Sequence, residues 1–141
     1  MNAQSIIAKG MSVEDYHNEL KEIAQTGKYK NEVEGSQMLD FIKLNHARTK
    51  RVLKQALIPT TLINVLKGVG SKYYWVVISE PWCGDSANVL PVISRLADLN
   101  KNIELKIILR DTHPEIMDEY LTNGTRSIPK LICFDESYKQ L

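Results

Sequence analysis

The sequence predicts an α/β fold, a single sheet with helices on its faces, and three observations predict it. Three short runs of β-branched and aromatic residues, Tyr73–Ile78, Ile103–Leu109 and Ile128–Phe134, read as buried strands. The stretches between them carry apolar residues at helical spacing. Strands alternating with helices pack as a sheet flanked by helical layers. With 141 residues, 43% of them hydrophobic, the chain closes one core and is too short to promise two.

Each element has its local reason. Ser12-Val13-Glu14-Asp15 has the Ser-x-x-acid form of a helix start, and Val13, Tyr16, Leu20, Ile23 and Ala24 share one helical face until Gly27. After a polar turn, Ser36 caps a longer helix with Met38, Phe41, Ile42, Val52, Leu53, Ala56 and Leu57 as its apolar positions, ended by Pro59. Thr60 or Thr61 opens a brief helix stopped by Gly68 and Gly70. The first strand, from Tyr73, leads straight into Trp82-Cys83-Gly84-Asp85-Ser86. Asp85 to Leu99 is helical through Val89, Val92, Ile93 and Leu96, and Asn100–Asn102 turns the chain into the second strand. Thr112 or His113 then opens a helix with Pro114 in its first turn, running through Tyr120 and Leu121 to Asn123-Gly124 before the third strand.

Composition excludes several classes of function. A net charge of +1 gives no global attraction to nucleic acid or to an anionic membrane. No apolar run is long enough to span a bilayer and the first residues lack a signal-peptide core, so a cytoplasmic protein is expected. Two cysteines fifty residues apart make neither a disulfide framework nor a metal-binding pattern, and no metal or cofactor is expected.

Cys83 lies where a buried strand ends and a helix begins. The unpaired N–H groups and positive dipole end of that helix favour a thiolate there, and Asp85 in the same turn works against it. This setting marks Cys83 as a reactive cysteine. Cys133, inside the apolar run Leu131–Phe134, reads as inert core.

With these residues in place, the chain resembles the thioredoxin superfamily over about half its length. Trp82-Cys83-Gly84 is similar to the family's active-site motif, Pro91 stands where that family kinks its active-site helix, and Ile128-Pro129 resembles its cis Ile-Pro bond facing the cysteine. The whole of Glu80–Ser86 further resembles bacterial thioredoxin-like proteins with an N-terminal helical extension and a monothiol Cys-Gly-Asp-Ser motif. The resemblance implies a three-layer α/β/α sandwich, with residues 1–58 as a helical extension packing on the same core and 59–141 as the thioredoxin-like domain. It implies Cys83 and Ser86 as catalytic residues. Trp82, Gly84, Asp85, Ile128 and Pro129 would be the substrate surface, the Ile128-Pro129 backbone pairing with an extended segment.

Four departures bear on mechanism. Ser86 replaces the second cysteine and cannot close a disulfide, so an external thiol must release whatever Cys83 captures. Ser86 is equally well read as an ordinary first-turn residue capping the backbone. Val77 stands where the family places a buried acid, and Asp85 stands in place of the motif proline. The chain also ends at Leu141, where the family continues with an edge strand and a helix, so that the N-terminal helices or a partner chain cover the bare sheet face, or the chain is truncated.

The expected activity is monothiol thiol-disulfide exchange on a protein disulfide or a low-molecular-weight thiol, with no nucleic-acid or membrane partner and no oligomeric state legible. A redox-inactive thioredoxin-like binding module is the alternative. Cys-Gly-Asp-Ser is only superficially similar to the Cys-Gly-Phe-Ser of cluster-binding monothiol glutaredoxins, because Asp85 replaces the Phe and no lysine occupies the loop before Cys83. Of the other polar residues, Lys43, Arg48, Lys50, Arg51 and Lys54 with His46 read as a solvated helix face, which gains an anion-binding role if the helix packs near Cys83. His17, His46 and His113 read as surface residues, and Arg126 is preferred to Arg110 for the rim of the site.

Overall fold

The computed structural model describes all 141 residues. In chain order the elements are α1 (Ala3–Lys9), α2 (Val13–Thr26), α3 (Gln37–Gln55), α4 (Thr60–Lys67), β1 (Tyr73–Ser79), α5 (Gly84–Ala97), β2 (Ile103–Leu109), α6 (Pro114–Met117) and β3 (Lys130–Asp135). The sheet order is β2-β1-β3, with β1 parallel to β2 and antiparallel to β3. No helix is long and apolar enough to cross a membrane.

β1 is central and buried on both sides, which is why it reads as a continuous apolar run. Alternation divides it between two cores. Val76 and Ile78 meet Ile6 and Ile7 of α1, Ile116 and Met117 of α6, and Ile132 and Phe134 of β3. Val77 faces the other way, onto Tyr16 of α2, Leu90 of α5 and Ile107 of β2. The result is the expected three-layer sandwich, with α1 and α6 below the sheet and α2 and α5 above it. α3 lies outside, against α2 and α5, its Leu39 and Ile42 joining Leu20, Ile23 and Tyr29. α4 closes one end through Leu66, Ala97 and Ile103.

The caps form as the residue types dictate. Ser12 accepts from the Asp15 amide at 3.0 Å and Ser36 from the Leu39 amide at 3.2 Å. Four expectations change. α1 is a helix where only a short apolar run was legible: its seven residues are too few to be stable alone, and burial of Ile6 and Ile7 in the main core holds them. α6 stops at Met117: Ile116 and Met117 are fully buried in the core, Tyr120 packs against it from beyond the helix end, and Asp118 is held by both Nε and Nη2 of Arg126 at 2.8 and 3.0 Å. β3 begins at Lys130, two residues later than expected, since Pro129 has no N–H to give the ladder. Cys133 is half-buried, lining an apolar groove with Trp75 and Leu141 at the end of the sheet, and burial there pushes its thiol up.

Two short bridges extend the sheet. Met11 exchanges both backbone hydrogen bonds with Ile107 of β2, at 2.9 and 2.8 Å. At the other edge, Asp135 accepts from the amides of Ser137 and Lys139 in a turn that brings the Leu141 amide back to the Cys133 carbonyl. Gly10 makes the first of these possible, because a Cβ there would lie 2.6 Å from Cβ of Lys106. Gly10→Ala should push α1 off β2 and cost about 1–3 kcal/mol, read as a fall in the urea midpoint at unchanged slope.

Candidate functional site

The sequence that ends β1 builds the site. Ser79 is fully buried and its hydroxyl hydrogen-bonds the Tyr16 phenol at 2.9 Å, tying the strand end to α2. Glu80 and Pro81 then turn the chain, and the Pro81 carbonyl accepts from Asn45 Nδ2 of α3 at 3.0 Å. Cys83 follows as the N-cap of α5, its amide returning to the Glu80 carbonyl at 3.0 Å. The loop is therefore clamped from both overlying helices before Cys83 is reached.

Cys83 is only 9% exposed. Its Sγ accepts from the Ser86 amide at 3.5 Å, the first free N–H of the helix to find a partner, and lies 3.7 Å from the Ile128 carbonyl. The Ile128-Pro129 bond is cis. Ser86 itself is 1% exposed and its hydroxyl has no hydrogen-bond partner. Trp82 is half-buried, packed on the α2–α3 core with the Arg110 guanidinium 4.8 Å from its ring centre. Gly84 opens α5 beneath Arg48, whose Nη1 would lie 3.0 Å from a Cβ at that position. Asp85 is exposed in the first turn and makes no ion pair. The folded chain thus brings Trp82, Cys83, Gly84, Ser86, Ile128 and Pro129 together, Cys83 and Ser86 beneath the surface and Asp85 exposed beside them.

α3 does pack beside Cys83, so part of the basic run has a second character. Arg48 is half-buried, donates to Asn45 Oδ1 at 3.1 Å and pairs with no carboxylate. Asn45 and Thr49 are buried on the Leu39–Ile42 face of the helix. That polar interruption of a buried stripe is a signal present in the sequence that points to them. The two arginines at the sheet edge divide differently from expectation: Arg126 is engaged by Asp118, and Arg110 covers Trp82. No three His, Cys, Asp or Glu side chains converge to hold a metal ion.

Glu80, the first residue of the motif, carries an acid to which motif reading gave no role. Val77 occupies the family's acidic position and is fully buried, but Glu80 is also buried, 1% exposed, with Oε1 accepting from the Asp111 amide at 2.8 Å. Burial raises its carboxyl above the ordinary range, outweighing the amide that favours the charged form. The folded state therefore keeps a proton on Glu80 at pH values where the unfolded chain has lost it. The stability this gives is complete below the unfolded value and is lost as pH rises through the raised one. Glu80→Gln keeps the acceptor and removes the charge, so its urea midpoint should exceed the parent's at about pH 7 and converge with it toward about pH 4.

The comparisons bear on the fold. The crystal structure of a protein of unknown function from Pseudomonas aeruginosa superposes with a TM-score of 0.70 at 18% identity, covering 100% of this chain and 74% of that one. An HIV epitope-scaffold gives a TM-score of 0.70 at 18% identity over 99% of this chain and 74% of its own. The N-terminal domain of the alkylhydroperoxide reductase AhpF from Enterococcus faecalis gives 0.50 at 20% identity, over 60% of this chain and 41% of that one. At such identities the likeness is one of fold. No curated protein matches the sequence. Residues 32–141, from the turn before α3 to the end, match the family described as thioredoxin, and the chain belongs to the thioredoxin family.

Proposed function

We propose that this protein is a monothiol thiol-disulfide oxidoreductase with Cys83 as its nucleophile. The observation that carries the reading is the position of Cys83 Sγ, between the Ser86 amide at the start of α5 and the Ile128 carbonyl. The sulfur there accepts a backbone N–H at the start of the helix and lies beside backbone suited to an extended substrate. The Cys83 thiolate attacks one sulfur of a substrate disulfide, the S–S bond breaks, and the other sulfur leaves as a thiolate. An external thiolate then attacks the mixed disulfide, restoring the Cys83 thiolate and leaving as a new disulfide with the captured group. Ser86 forms no bond to sulfur in either step; its amide steadies the Cys83 anion.

The test is reduced protein incubated with a glutathione–protein mixed disulfide and, separately, with a protein disulfide. Turnover with added thiol, together with a mass-detectable Cys83 adduct when thiol is withheld, supports the reading; no turnover on either substrate sinks it. A second reading, a binding module without redox activity, draws on the low exposure of Cys83. Iodoacetamide separates the two: Cys83 should alkylate well ahead of Cys133 at neutral pH, and equal, slow rates would favour the binding module.

Arg48 gives the external thiol a chemistry. It is a cation without a carboxylate partner, set against Gly84. A thiol bearing a carboxylate would meet it on approach to Cys83. Arg48→Ala should slow release by such a thiol on the order of tenfold while leaving release by an uncharged thiol unchanged, measured as single-turnover rates. Equal slowing of both would assign Arg48 a purely structural role.

A further inference from the structure

A second concave site lies between α2 and α3, and Cys83 is not among the residues lining it. It is a cleft of about 300 Å³ walled by these two helices, and its floor includes the buried Thr49. His17 and Lys21 enter it from α2, His46 and Lys50 from α3, and no Asp or Glu lines it. Neither lysine takes part in any of the ion pairs the fold forms, although acids are plentiful on the rest of α2. The His17 Nε2 is buried without a hydrogen-bond partner. A buried imidazole nitrogen left unpaired carries a desolvation cost in the packed helix pair.

Four basic groups converging on one concavity with no counter-charge is an arrangement the fold has no need of. Like charges facing across a helix pair destabilise the packing they sit on. The repulsion is felt by the imidazoles themselves. Burial first, and then His46, lower His17; burial, Lys50 and Lys21 lower His46. The cleft therefore holds both rings neutral and would protonate them readily if a negative charge entered.

We propose that this cleft binds a small, multiply charged oxyanion, held by the Lys21 and Lys50 ammonium groups and by donors from His17 and His46. Ammonium and imidazole donors are point donors from separate directions, which suits a phosphoryl or polycarboxylate group wrapped on several sides. The volume is that of a small metabolite. Its walls are also the helices that brace the active-site loop, through Tyr16 to Ser79 and Asn45 to Pro81. Because every titratable group lining the cleft is basic, binding takes up protons at His17 and His46 and tightens as pH falls through the imidazole range.

The experiment is titration of the full chain with inorganic pyrophosphate and with citrate, followed by calorimetry and by the His17 and His46 imidazole resonances. Saturable binding that shifts both resonances is expected, and the tighter probe identifies the source of the oxyanion. Lys21→Gln combined with Lys50→Gln should weaken it on the order of tenfold or more. Lys43→Gln combined with Lys54→Gln removes the same charge from α3 outside the cleft and should leave it within about twofold. No saturation by either probe up to about 10 mM, or equal weakening by the two double variants, would overturn the proposal.

Discussion

Cys83→Ala should lose all catalysed exchange, falling at least about a thousandfold to the rate of the uncatalysed thiol reaction. No other group in the chain can replace the nucleophile. Cys133 pairs in register with Trp75 on β1, four residues before the Ser79 that ends the strand, placing it about 13 Å along the sheet from that end. It faces an apolar groove whose burial pushes its thiol up. Ser86 offers only an alcohol. Cys83→Ser provides the control, because its hydroxyl still accepts from the Ser86 amide and caps α5. It should match the parent in urea midpoint within about 0.5 kcal/mol while being as inactive as Cys83→Ala. Retention of exchange by either variant, measured with a glutathione mixed disulfide, would remove Cys83 from the mechanism.

How much of this site was legible depends on whether the signal is local. Cys83 at a strand-helix junction is a local pattern, as are the Ser12 and Ser36 caps and the two strands Tyr73–Ser79 and Ile103–Leu109. The end of α6 is not local: it is decided by Asp118 reaching Arg126 and by the positive φ of Asn123 and Gly124 further on. Nor is α1, which exists because Ile6 and Ile7 find a core made of residues more than sixty positions away. Glu80 stands in the motif without a role because a single acid after a strand reads as a solvated turn residue, and only the arrival of the Asp111 amide from beyond β2 shows it buried. His17 and His46 are twenty-nine residues apart on different helices, so no spacing rule joins them. Chain-local chemistry was read directly; chemistry assembled by helix packing was not, apart from the basic run on α3, whose proximity to Cys83 was open in the sequence and is settled by Arg48 against Gly84.

Ser86→Cys should convert the protein from one that holds its captured group into one that releases it unaided. Ser86 is three residues after Cys83, on the first turn of α5, with its amide already 3.5 Å from Cys83 Sγ. Cys83 is the extended N-cap of α5 and position 86 the first turn above it, so the two side chains share one helix end. The Ser86 hydroxyl is buried and unpaired, so replacing it by a thiol breaks no hydrogen bond and adds little volume. An introduced thiol on the same turn attacks the mixed disulfide as an intramolecular nucleophile, with an advantage that no dilute external thiol matches. The parent's mixed disulfide should persist until thiol is added, and its decay rate should be proportional to thiol concentration. In the variant the decay should become independent of added thiol, and the product should contain an internal disulfide with no thiol-reactive group at either position. One proton-transfer step distinguishes this variant from a dithiol thioredoxin. Val77 supplies no acceptor beneath the site. A thiol at position 86 must lose its proton before it attacks, so release should accelerate about tenfold per pH unit until that thiol ionises, above the ordinary cysteine range because the position is buried. Release that stays proportional to external thiol would show that position 86 cannot reach the Cys83 sulfur, and would move the resolving step wholly to a partner molecule.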